Sequence, residues 1–328
     1  MRKTVILALS CHCGALMFVA NSSAANAADS FKSVDFNLYQ SVGYREDTFK
    51  WNKAGNNAGT DPNILSELSW DNLSITQFKI GGDLLLDERL YIRASVSLGK
   101  ASSGDNQDSD YDGDNRTLEW SRTNNDAKNS SVVDSSIALG FKFKVPGGIG
   151  GREVYFVPLI GYSRHAQSLR LTDGYQTISK KSVLTGATPA PVGPFSLSLN
   201  SLQESTWRGQ WVGIDMFAQV HERVLLRLYI ERHDASYAAD LNWNLRGDLA
   251  HPVSFAQRAN GTGTVVGADL KYQYAEGYSF TASLTRQEWS TESGIDKTYF
   301  ANGDTTSQQL NEVEWQSWSA MVGFEYRI

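Results

Sequence analysis

The sequence predicts an all-β chain, a ten-stranded antiparallel transmembrane β-barrel with long extracellular loops and short periplasmic turns. Three observations carry that class. Amphipathic segments are joined alternately by very short turns and very long polar stretches. A soluble sheet has no reason to set every short turn at one end, whereas a barrel with one rim in the periplasm and one outside the cell does. Within the segments, apolar and polar residues alternate with period two, as strand side chains facing lipid and lumen must. Finally, mean hydropathy is −0.36 and no apolar run long enough for a membrane helix follows the N-terminal segment. A barrel tolerates such polarity because only every second strand residue meets lipid.

The elements follow in order. Arg2 and Lys3 precede a largely apolar run from Val5 to Ala20, and Ala25-Asn26-Ala27 offers a small-residue cleavage site. Residues 1–27 are therefore read as a signal peptide cut after Ala27, and residues 28–328 as a single barrel domain. Both cysteines, Cys11 and Cys13, fall within the signal, so the exported chain is expected to carry no disulfide framework.

Strands are expected over 33–51 and 66–86, then, after the turn Asp87-Glu88-Arg89, over 90–99. In the last of these Leu90, Ile92, Ala94, Val96 and Leu98 alternate with Tyr91, Arg93, Ser95, Ser97 and Gly99. Residues 137–144 form the fourth strand, and a glycine-rich turn from Pro146 to Gly151 leads to the fifth over 153–166. The sixth covers 211–220 and the turn His221-Glu222-Arg223 leads to the seventh at 224–236. The eighth, 266–274, alternates most cleanly of all. Residues 279–289 and the aromatic-rich 318–328 complete the ten, the last strand ending at the last residue. Long polar loops are expected near 53–64, 101–131, 166–205, 234–262 and 288–312.

Charge narrows the partners. Without Arg2 and Lys3 the chain keeps 28 basic against 36 acidic residues, a net charge near −8. That excludes a nucleic-acid partner, whose phosphates need a basic face, and suits cations or basic peptides. The expected lumen positions hold Asp35, Arg93, Lys142, Asp215, Arg227, Asp269, Lys271, Glu325 and Arg327. Mixed signs predict an ion-paired interior, and a ten-stranded barrel is barely wider than one its side chains fill, so a wide pore is not expected.

The sharpest local motif runs from Asp108 to Glu119. It satisfies D-x-[DN]-x-[DN]-G-x5-E, the calcium-loop pattern, with Asp108, Asp110, Asp112 and Glu119 as carboxylates and Asp114 giving its carbonyl. No helices flank it, and Asn115 stands where an apolar anchor is usual. Three readings stay open: a calcium site, a solvated acidic loop, or a catalytic pair in which Asp108 and Asp110, two apart on a strand, share a proton and activate water.

The chain also resembles the omptins, ten-stranded outer-membrane endoproteases of Gram-negative bacteria. The resemblance is thin but spans residues 31–328. It rests on Ser66-Glu67-Leu68-Ser69-Trp70, Leu159-Ile160-Gly161-Tyr162-Ser163, Trp211-Val212-Gly213-Ile214 and the stretch from Gly104 to Tyr111. It implies an outer-membrane location, a lipopolysaccharide requirement and a catalytic Asp-x-Asp matched by Asp108 and Asp110. The omptin partner, an Asp-x-His above strand seven, is met in register only by Asp240-Leu241-Asn242, and asparagine is no titrating base. His233 and His251 lie nearby at other spacings.

The leading expectation is an omptin-like barrel without proteolysis, binding through acidic extracellular loops. An endopeptidase favouring basic sites, with Asp108, Asp110 and His233 or His251, is the alternative. A small channel or exopolysaccharide-associated barrel is the third.

Overall fold

The computed structural model describes residues 33–328; the expected signal segment and its cleavage site lie outside the described residues. No helix occurs among the described residues, and the strands run β1 (Val34–Lys53), β2 (Ser66–Leu86), β3 (Leu90–Gly113), β4 (Thr117–Asp126), β5 (Ser131–Phe141), β6 (Phe143–Lys144), β7 (Val154–Ser179), β8 (Gly193–Pro194), β9 (Asn200–His221), β10 (Val224–Asn242), β11 (Phe255–Ala275), β12 (Tyr278–Thr291), β13 (Gly294–Tyr299) and β14 (Thr305–Arg327). All pair antiparallel with their neighbours. β4 and β5 are the upper and lower parts of one wall strand between β3 and β7, and β13 bridges β11 and β14 above β12. β1 closes on β14, from Asn37 opposite Arg327 up to Lys53 opposite Leu310. The result is the expected ring of ten strands.

The turns at the lower rim are as tight as the sequence predicts. Asp87 and Glu88 adopt positive φ, Glu222 and Arg223 alone join β9 to β10, and Gly277 supplies the left-handed residue between β11 and β12. Facing outward above this rim is an apolar belt that includes Val42, Phe78, Leu98, Ile137, Ile160, Val212, Leu284 and Val322, all exposed. Apolar residues exposed in such a continuous band mark the hydrocarbon-facing wall.

The upper half departs from expectation. Much of the polar sequence read as loop at 101–131, 166–205 and 234–262 is ladder. β3 stays paired with β2, through register shifts between Asp71 and Ile75, as far as Asp110 opposite Ser66, and β7 holds register with β9 as far as Thr172 opposite Asn200. Strands of 24 and 26 residues, β3 and β7, far exceed the 9–11 or so needed to cross a bilayer, so the barrel rises well above the membrane. Once above the lipid the outer face no longer needs apolar residues: on β1, β10 and β14 the alternation inverts, with Phe49, Trp51, Tyr237, Leu241, Val313 and Trp315 buried inward, and along β3 it fades while pairing continues.

The lumen is filled in two layers. In the lower layer Arg93 binds Glu231 at 2.5 Å, Arg227 reaches both Asp215 at 3.0 Å and Asp269 at 2.9 Å, and Lys271 pairs with Glu325. Above it lies an aromatic core of Phe49, Trp70, Trp207, Tyr237, Trp289 and Trp315, with the indoles of Trp289 and Trp315 stacked 5.4 Å apart. Between the layers Arg45, 1% exposed, clamps Asp47 and Asp134 at 2.6 Å each.

Candidate functional site in the extracellular crown

Asp108 and Asp110 stand near the top of β3. Being two apart they project to the same side of the strand. Three surroundings define them: Lys53 at the end of β1, Arg246 and Trp243 in the β10–β11 loop, and Ser66 opposite Asp110 on β2. Both carboxylates are half-buried. Burial, the largest influence, pushes Asp108 well above the usual carboxylate range, helped by repulsion from Asp110. Burial also lifts Asp110, to about 6, and its hydrogen bond to Ser66 with the charges of Lys53 and Arg246 limits the rise. Each proton is therefore held more tightly than in water, because desolvation penalises the charged form more than the two cations favour it.

The cations are themselves anchored. Lys53 Nζ donates to Asp296 at 3.0 Å and sits over the Phe255 ring. Gln257 donates to the other oxygen of Asp296 at 3.0 Å, and Tyr237 donates to Gln257 at 3.1 Å. Arg246 makes a bidentate pair with Asp248. The crown thus presents two protonatable carboxylates with two tethered cations near them, Lys53 in register two strands away and Arg246 from the β10–β11 loop.

The remaining residues singled out by the sequence go elsewhere. The calcium-loop reading assumed one compact loop, but Asp108 to Gly113 are extended on β3, Asp114 to Arg116 form the hairpin tip, and Thr117 to Glu119 begin β4. Asp112 accepts hydrogen bonds from Ser182 Oγ at 2.7 Å and the Val183 amide at 2.6 Å. Asp114 accepts the Asn63 amide at 2.7 Å, and Glu119 accepts from Arg122 Nε and Nη2 at 2.7 Å each. Among the described residues no group of three or more metal-ligating side chains converges.

Asp240, expected opposite the pair, points outward and binds Arg258 at 2.9 Å, because the strand's inward positions here are Ala239 and Leu241. His251 is exposed in the loop, its Nδ1 2.7 Å from Asn242 Oδ1. His233 is buried deep in the barrel beside Glu231, which holds Arg93. Asp108 stands fifteen residues above Arg93 on β3, on the order of 50 Å along a strand at about 3.3 Å per residue. His233 and the aspartate pair are therefore separate sites. Sequence reasoning missed Arg246, Trp243 and Lys53, which carry no motif and become neighbours only through the barrel's closure.

A second feature lies on the outer wall at the upper edge of the apolar belt. Arg164 on β7 stands directly opposite Arg208 on β9, both exposed, and among the described residues neither has an ion-pair partner; Arg232 on β10 lies close by. Arg208 and Arg232 line a groove of about 670 Å³ whose lower wall is Ile160, Tyr162 and Val212, with Asp234 its acidic member. Like charges set directly opposite each other repel unless an anion joins them.

Comparison with solved structures places this architecture among outer-membrane barrels. The crystal structure of the outer membrane protease OmpT from Escherichia coli is similar in fold, with a TM-score of 0.71 at 13% identity, over 91% of this chain and 98% of that one. The translocator domain of the autotransporter NalP from Neisseria meningitidis aligns over 93% of this chain and 92% of its own at 12% identity, but with a TM-score of only 0.35. No curated protein matches the chain. A family model matches residues 39–328, nearly the whole ring, and by that match the chain belongs to the Pom family, the Protochlamydia outer membrane proteins.

Proposed function

We propose that this outer-membrane barrel is a surface binding protein that captures cationic ligands, basic peptides foremost, at the Asp108/Asp110 pair and does not cleave them. The observation that carries this reading is the pair's company. Its charged neighbours are Arg246 and Lys53, while Asp240 is turned outward and His233 lies far below. Without a histidine or a second carboxylate opposite, no base is placed to take a proton from water at a bound peptide carbonyl. A guanidinium or ammonium ligand replaces Arg246 and Lys53 as the partner of the carboxylates. Calcium is a smaller cation for the same two oxygens and is expected to compete only through Asp108 and Asp110.

The test is a labelled dibasic peptide added to refolded protein in lipopolysaccharide. Saturable binding without cleavage is expected, weakened at least about tenfold in Asp108→Asn/Asp110→Asn, since a hydrogen-bonded charge pair contributes roughly 1.5–3 kcal/mol. Cleavage lost in that variant would replace this reading with an endopeptidase.

Lipopolysaccharide is the expected membrane partner, its phosphates joining Arg164, Arg208 and Arg232 and its acyl chains lying on Ile160 and Val212. The variant Arg164→Glu/Arg208→Glu should retain severalfold less lipopolysaccharide through purification. Equal retention would remove the arginine cluster from that role.

A further inference from the structure

A second site lies inside the barrel, apart from the crown. Ser163 projects inward from β7, and Glu231 and His233 project inward from β10, two strands away. The inward position between Ser163 and β10 is Gly209 on β9, paired with Ser163 on one side and Ala235 on the other, so no side chain intervenes. Ser163 Oγ lies 3.1 Å from His233 Nδ1, and His233 Nε2 lies 3.1 Å from Glu231 Oε2. The other oxygen of Glu231 accepts from Arg93 at 2.5 Å. Serine, imidazole and carboxylate are hydrogen-bonded in series.

The order of these bonds fixes the proton. An ionised carboxylate only accepts, so the His233 nitrogen facing Glu231 must carry hydrogen. The neutral ring then presents its lone pair on Nδ1, and the Ser163 hydroxyl donates to it. That is the tautomer a general base needs, oriented by a carboxylate that cannot itself leave the arrangement while Arg93 holds it. A serine that merely filled space would need no such series.

All three residues line one polar cavity of about 100 Å³, with His165, Ser97 and Tyr229 among its other walls. This is room for several waters or a short acyl group. His165 donates from Nδ1 to Asp134 at 3.0 Å, and its Nε2 is buried with no protein partner.

We propose that Ser163 is a reactive nucleophile, activated by His233 and Glu231, which accepts a short acyl group from an activated ester. Ser163 Oγ bonds to the acyl carbon while its proton passes to His233 Nδ1. The ester C–O bond breaks, and the leaving alcohol takes that proton. Water then attacks the acyl-serine, again giving its proton to His233, and the carboxylic acid and free Ser163 are released. Ester and water become acid and alcohol, with no other reactant required.

Methanesulfonyl fluoride is the probe, small enough for the cavity. Its sulfur bonds to Ser163 Oγ, fluoride leaves and the proton goes to His233. Intact refolded barrel, verified by heat-modifiable electrophoretic mobility, is treated and its peptides are mapped by mass spectrometry. One adduct per chain on Ser163 is expected. It should be absent in Ser163→Ala and slowed at least about tenfold in Glu231→Gln, where the tautomer is no longer fixed. No adduct on the unmodified sequence, an adduct only elsewhere, or equal labelling of Glu231→Gln would each overturn the proposal.

Discussion

At the residue scale, the crown carboxylates set how the barrel answers to pH. Asp110 titrates at about 6 rather than 3.8, chiefly because it is buried, and Asp108 is displaced in the same direction. A cation binds the ionised form, so affinity for a basic peptide should fall as pH is lowered from 7.5 to 5. One unit below its midpoint Asp110 is about one-tenth ionised, and a loss of about tenfold is expected. Stability runs the other way. The folded state holds these protons more tightly than the unfolded chain does, so the pair stabilises the fold fully below pH 4 or so. That contribution is lost as pH rises through about 6. Asp110→Asn should therefore raise the unfolding free energy from urea titration at pH 8 by on the order of 1 kcal/mol, once screening at this half-buried site is allowed for, and leave it unchanged at pH 4. A variant that lost stability at both pH values would mean that the carboxylate is a structural anchor rather than a binding group.

At the element scale, four inward aromatics lie flat on glycines of the neighbouring strand: Tyr39 opposite Gly81, Trp211 opposite Gly161, Tyr229 opposite Gly267 and Trp289 opposite Gly263. A Cβ on Gly161 would stand 2.2 Å from Trp211 Cε2, and one on Gly267 2.3 Å from the Tyr229 ring. Glycine weakens a strand by itself, so its recurrence marks close approach. Gly161→Ala should cost about 1–3 kcal/mol in denaturant titration and shift tryptophan fluorescence, as overpacking does; an unchanged midpoint would show that Trp211 has room to move.

These pairs also show what the sequence could convey. Inward glycines such as Gly267 were visible as members of the alternation, and that alternation located the lower part of every wall strand. Above the lipid, signals failed for a physical reason. The stretch from Ala101 to Gly113 is rich in Ser, Asp and Asn, poor strand formers by side chain, yet its backbone is held by β2 and β4 on either side. Asp108 and Asp110 were legible as a pair from their spacing. Arg246 and Trp243, which set the pair's chemistry, lie more than 130 residues away and were not.

At the scale of the whole molecule, filling decides transport. A ring of ten strands leaves a lumen that side chains can close, and here they close it twice by different means. The lower closure is ionic, with Arg93, Asp215, Arg227 and Asp269 mutually paired, so a passing ion would have to displace a buried partner. The upper closure is aromatic, and Trp70, Trp207 and Trp315 within it are fully buried. An ion crossing the barrel would meet charge first and then a dry wall, and no single side-chain rotation removes both; a small neutral reagent bound for the cavity around Ser163 has only one of the layers to pass. Refolded protein in a planar bilayer should therefore be electrically silent. Trp289→Ala alone should stay silent, because the ionic layer is intact. Combining it with Arg227→Ala, which strips the partner from both Asp215 and Asp269, should give flickering conductance or a barrel that no longer refolds. Regular conductance steps from the unmodified chain would mean that the two layers move together, and would make this barrel a channel.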